Sequence, residues 1–171
     1  PDLVKGDAFI MEWSDGKVFR YEYIGADNGG NYQFKMTRTN GGPSGKFRTL
    51  RFTPDMAYVG NEIATNTPHA GRKPVLDVGD KWQVNYAYSD RKTDHRRLET
   101  CASDQRELRK FSNIQFDAIK VVCTVERQDN NNSWTTISWF DTKTGFEIDH
   151  EQKWDGGGKW SRLKEVELQP R

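Results

Sequence analysis

The Asp15-Gly16 pair, set between two alternating apolar and polar runs, constrains this chain more than any other feature. A type I′ turn needs positive φ at both central residues, and Asp-Gly between period-2 runs is the strongest short-range signal for a β-hairpin. Ala8 to Ser14 and Lys17 to Gly25 are therefore read as paired antiparallel strands. A two-residue turn pairs Trp13 with Val18 and Ile10 with Tyr21, which puts Ala8, Ile10, Phe19, Tyr21 and Tyr23 on one face, expected to be core. Phe9, Met11, Trp13, Val18 and Ile24, interrupted by Arg20 and Glu22, fall on the other. The hairpin is thus apolar on both sides near its turn, and the second side calls for a cover or a ligand.

The same period of two recurs down the chain, with turn residues at the spacing of an all-β fold. Asn31 to Thr39, Lys46 to Thr53, Met56 to Gly60, Lys81 to Ser89, Thr93 to Cys101, Arg106 to Phe111, Ile114 to Arg127, Trp134 to Asp141, Phe146 to Trp154 and Lys159 to Leu168 all read as strands. Helical periodicity is nearly absent. The competing reading is a helix at Ser103 to Lys110, with Ser103 as its cap. Residues 61–74, rich in turn formers, form the longest irregular segment. The expected fold class is all-β: an antiparallel meander of about ten strands forming a highly curved sheet or open β-barrel. At 171 residues the chain suits one domain spanning 1–171.

Aromatic residues at 12% are too many for a disordered chain, although charged residues reach 30%. The 26 Lys and Arg nearly balance the 25 Asp and Glu. No long-range field steers the chain to nucleic acid, and no nucleic-acid partner is expected. No run approaches the roughly 18 apolar residues of a transmembrane span. The chain opens Pro1-Asp2-Leu3 without an initiator Met, as expected after loss of a leader, a lipoprotein anchor segment or a tag.

If the chain reverses around Ser112, facing residues have numbers that sum to 224, and Cys101 and Cys123 meet that sum. They are expected to form a cross-strand disulfide, which points to an oxidising, extracytoplasmic compartment; the alternative is two buried free thiols.

Catalytic and cofactor motifs are weak. His69, His95 and His150 show no spacing that puts two of them on one face of one element, so neither a metal site nor another cofactor is expected. Asp94-His95 resembles half of an acid–base pair, but strand neighbours point to opposite faces. No Gly-x-Ser-x-Gly elbow exists, and the glycine clusters at 41–45 and 156–158 read as turns. Arg91, Arg96 and Arg97 lie in the one basic concentration and are candidates for an anionic partner, although interleaved acids also suit a solvated edge. Trp154 and Trp160 are expected to face each other across the last hairpin. Trp134 and Trp139 must point to opposite sides of their strand. With Trp13 and Met11 on the second face of the first hairpin, these aromatics are candidates to line a ligand groove, barrel filling being the alternative.

The segments Val78-Gly79-Asp80-Lys81-Trp82 and Gln115-Phe116-Asp117-Ala118-Ile119-Lys120-Val121, with Cys101, Cys123 and more loosely Ser138-Trp139-Phe140, carry a family likeness. The pattern resembles uncharacterised β-rich domains of bacterial periplasmic proteins and lipoproteins, although Asn113-Ile114-Gln115 replaces the usual Ala-Gly before the Phe. The resemblance implies a curved antiparallel sheet or half-barrel in the cell envelope, with no activity to carry over. The leading expectation is a non-enzymatic envelope module that binds an apolar or amphipathic ligand, with lipid, glycan or an envelope protein as partner. The alternatives are a carbohydrate-active or other hydrolase using carboxylates such as Asp90, Asp94, Glu147 or Asp149, and a structural domain of an envelope assembly.

Overall fold

The computed structural model describes residues 3–41, 46–52, 58–60, 77–89, 94–111, 114–128 and 132–170. Their strands are β1 (Ala8–Trp13), β2 (Val18–Ala26), β3 (Tyr32–Arg38), β4 (Phe47–Phe52), β5 (Tyr58–Gly60), β6 (Lys81–Ser89), β7 (Asp94–Phe111), β8 (Ile114–Arg127), β9 (Ser133–Asp141), β10 (Glu147–Trp154) and β11 (Gly157–Glu167). All eleven pair antiparallel in one sheet of order β5-β4-β3-β2-β1-β11-β10-β9-β8-β7-β6, not closed into a barrel. No helix occurs among the described residues. Ser103 to Lys110, the segment with a competing helical reading, lies within β7.

Two meanders, β1 to β5 and β6 to β11, meet where β1 pairs with β11, so the first and last strands are neighbours at the middle of the sheet. Asp7 fastens this junction. Its buried carboxylate accepts the Val4 and Gln169 amides at 2.9 and 2.8 Å, satisfying both oxygens from the two ends of the described chain.

The first hairpin differs from its expected register by one residue. Gly16 N–H donates to the Trp13 carbonyl, and Trp13 N–H to that of Lys17, so the loop is the three residues Ser14, Asp15 and Gly16 rather than two. Gly16 holds φ +76°, the left-handed residue such loops require. Ser14 N–H instead donates to the Trp160 carbonyl on the neighbouring strand. Phe9 therefore faces Tyr21, and Met11 faces Phe19. A one-residue slip exchanges every side chain between faces. Phe9, Met11 and Trp13 join Phe19, Tyr21 and Tyr23 on the inner face, while Ala8 and Ile10 move to the outer one. Ile10 is still buried there, between Arg20 of β2 and Glu165 of β11. The hairpin is therefore not two-sided in the way its sequence suggests.

The inner face is packed with rings. Phe9 stacks on Phe146 at 3.9 Å, Phe34 lies 5.9 Å from Phe146 and 5.5 Å from both Tyr23 and Phe52. Phe9, Phe34 and Ile148 are the largest fully buried apolar side chains. Burying each contributes roughly 1.5–3 kcal/mol relative to exposure.

At the other end, β7 and β8 form a long hairpin in which Phe111 faces Ile114. Facing numbers there sum to 225 rather than 224. A bulge between Ser103 and Gln105 absorbs one residue and restores the 224 register, so Cys101 faces Cys123 and the two are disulfide-bonded. The pair was foreseen, but the bulge that delivers it was not. The last hairpin corrects another expectation: Asp155-Gly156 makes a two-residue turn, Trp154 faces Gly157, and Trp160 faces Glu151. The two tryptophans do not clasp.

Candidate functional site: a graded groove on the inner face

Met36 of β3, Leu50 and Phe52 of β4, Tyr21 of β2, and Met11 and Trp13 of β1 form the apolar wall of a cavity of about 430 Å³, which Phe140 of β9 and His150 of β10 also line. From β4 to β10 the sheet order crosses five strand spacings, about 24 Å if flat. One cavity can touch both only because the sheet curls around it.

Polarity changes along the groove. Glu147, His150, Gln152, Lys159 and Ser161 supply its polar lining, and His150, Gln152 and Lys159 also line an adjoining recess of about 730 Å³ bounded in part by Arg97, Glu99, Arg127, Trp134 and Asp155. Register explains the assembly. His150 faces Ser138 on one side and Ser161 on the other, Ser161 faces Trp13, and Gln152 faces Lys159. Alternation along β10 and β11 then sends His150, Gln152, Lys159 and Ser161 to the face that carries Trp13.

His150 lies at the boundary between the apolar and polar stretches. Its Nδ1 is 3.0 Å from Ser138 Oγ and 3.2 Å from Glu147 Oε1. Burial disfavours the charged imidazole, but the Glu147 hydrogen bond and charge outweigh it, and the pKa stands above its ordinary value. A serine, a histidine and a glutamate in contact invite comparison with a hydrolytic triad. In a triad the carboxylate orients one ring nitrogen while the serine gives its proton to the other. Here serine and carboxylate converge on the same nitrogen, so His150 cannot be oriented by Glu147 and activate Ser138 at once.

Two further polar groups stand in the apolar stretch. Burial pushes the Tyr21 phenol up to about 12. Beside it lies the buried Trp13 Nε1, whose hydrogen-bonding interaction with the phenol partly offsets the effect of burial.

The residues singled out by sequence are partly brought together. Trp13 and Met11 line the groove, on the core side of the hairpin rather than on a second apolar face. Trp134 lines the polar recess, its ring 4.8 Å from the Arg97 guanidinium. Trp139, on the opposite side of β9, does not reach the groove. It is buried with Arg109 stacked 4.4 Å away, and Arg109 also donates to Asp149 at 2.6 Å. Arg97 lines the recess, whereas Arg96 is exposed on the other side of β7. The side chains of Asp90, Arg91, Asp94 and His95, together with His69, lie outside the described residues.

The paired-carboxylate alternative finds no support at Glu147 and Asp149. A bulge between them turns Glu147 toward the groove and Asp149 to the opposite face, where Arg109 and Arg162 hold it. Burial of Asp149 dominates those two cations and raises its pKa. Glu99, Cys101 and Cys123 lie close enough to share an ion, but both sulfurs are spent in the disulfide. Sequence reasoning passed over Met36, Leu50, Phe52 and Lys159 as groove residues. Nothing local marks them; they meet only through the curl.

No family model and no curated protein matches the sequence. Solved structures do share the fold. The hypothetical lipoprotein YmcC from Escherichia coli K12 is 12% identical, with a TM-score of 0.58 over 95% of this chain and 88% of that one. A protein from Bacteroides fragilis, named as exported and as having a YmcC-like fold, is 10% identical with a TM-score of 0.59, covering 96% of this chain and 97% of its own. A protein named as a lipoprotein from Parabacteroides distasonis is 13% identical, with a TM-score of 0.54 and 96% coverage of both chains. At these identities the likeness is one of fold, that of the YmcC-like lipoproteins and exported proteins.

Proposed function

We propose that the chain is a non-enzymatic binding module of the bacterial envelope that takes an apolar or amphipathic ligand into the groove of the curled sheet. The observation that carries this reading is the groove itself, with a volume in the range of small-molecule sites and apolar walls grading into polar groups. A purely structural domain would predict a flat apolar patch and no pocket. The extracytoplasmic location rests on the Cys101–Cys123 bridge, which persists in oxidising compartments, and agrees with the names of the fold relatives. The partner is a lipid, a glycan or a segment of an envelope protein, with lipid favoured by the Met and Phe walls.

Titration with lipids, glycans and peptidoglycan fragments, followed by intrinsic tryptophan fluorescence, tests the reading. A saturable response that disappears in Leu50→Glu, while Trp13→Phe still binds with altered signal, is expected. Saturable binding unaffected by Leu50→Glu would place the ligand elsewhere.

A further inference from the structure

Resting on that reading, we infer that the groove is built for a monomeric single-chain amphiphile with an anionic head, the tail along Met11, Met36, Leu50 and Phe52 and the head at Lys159, Gln152 and His150. The size and the donor pattern carry this inference. At about 430 Å³ the cavity, with its polar lining included, lies in the lower half of the range for small-ligand sites, which suits one chain rather than a diacyl lipid.

The groups at the polar end are mainly donors. Lys159 is exposed beside the groove and lines both of its parts. Gln152, directly opposite it, offers an amide. His150 is held toward its charged form by Glu147, whose carboxylate is turned to the ring and so is poorly placed for a cationic head. An anionic head supplies acceptor oxygens to this set. A quaternary ammonium supplies none and meets the Lys159 charge.

Decanoate, decyltrimethylammonium and decyl maltoside, each below its critical micelle concentration, provide a matched comparison by calorimetry. Decanoate is expected to bind at least tenfold more tightly than either of the others. Lys159→Glu should erase that preference with circular dichroism unchanged and a cooperative melt retained, since the residue is exposed on a hairpin. Across octanoate, nonanoate and decanoate, affinity should rise about fourfold per methylene.

Equal binding of the three heads, each lost in Leu50→Glu, would overturn the anionic head and leave the groove reading intact. No binding of any head would overturn both. Binding to anionic vesicles without binding to monomeric decanoate would replace the single-chain ligand with a membrane surface.

Discussion

His150 shows how much one side chain can report about the site. Burial works against its charge, Glu147 overcomes that opposition, and Lys159 and Asp149 contribute smaller effects of opposite sign. A histidine whose folded pKa stands above its unfolded value of 6.5 contributes stability that is fully present below about pH 6.5 and lost as pH rises through the folded pKa. The His150 contribution to the melting temperature should therefore fall as pH rises above 6.5 and through the folded pKa, and His150→Gln should remove that part of the slope. In the wild type, proton titration by NMR should give a His150 pKa above 6.5, returning downward in Glu147→Gln. An unshifted value in the wild type would remove the Glu147 interaction from the description of the groove. At the same scale, Arg109→Ala leaves the Asp149 carboxylate, 3% exposed, with Arg162 as its remaining cation and strips the cover from Trp139. A loss of about 2–3 kcal/mol in denaturant unfolding is expected, below the full cost of orphaning a buried charge because Arg162 stays. No loss would mean the pair does not form.

At the level of strands, register decides which residues matter. The period of two was legible for nearly every strand, because it is written in the local order of apolar and polar residues. The hairpin loops were not, because one residue more or less in a turn is nearly silent in sequence. Asp-Gly marks both a three-residue loop at Ser14 to Gly16 and a two-residue turn at Asp155-Gly156. That difference alone moved Phe9, Met11 and Trp13 from an apparent second apolar face to the core side. The bulge at Asp104 was hidden for the same reason, in a segment that read as a break between strands. The Cys101–Cys123 bridge nevertheless closes a hairpin separated by 22 residues, and reducing it should cost roughly 3 kcal/mol by the chain-entropy model. Equilibrium unfolding with and without reductant measures this, and equal midpoints would show that the bridge contributes nothing to stability.

For the molecule as a whole, the decisive event is the curl that brings β4 to β10. Sequence showed that the sheet would be long, antiparallel and aromatic. It could not show that residues a hundred positions apart, such as Leu50 and His150, would line one cavity, because that follows from strand order and curvature rather than from any local pattern. Trp13 and Met11 were identified as groove residues for a reason the register then revised, and parity showed that Trp134 and Trp139 part to opposite sides without showing which of them meets the groove. The groove's apolar wall and donor-rich end make a single physical statement about its occupant. A crystal structure of the protein soaked with decanoate tests that statement most directly. Density for the chain is expected against Met11, Met36, Leu50 and Phe52, with the carboxylate within hydrogen-bonding distance of Lys159 or Gln152. A groove closed by its own side chains, or decanoate bound only on another face, would contradict it.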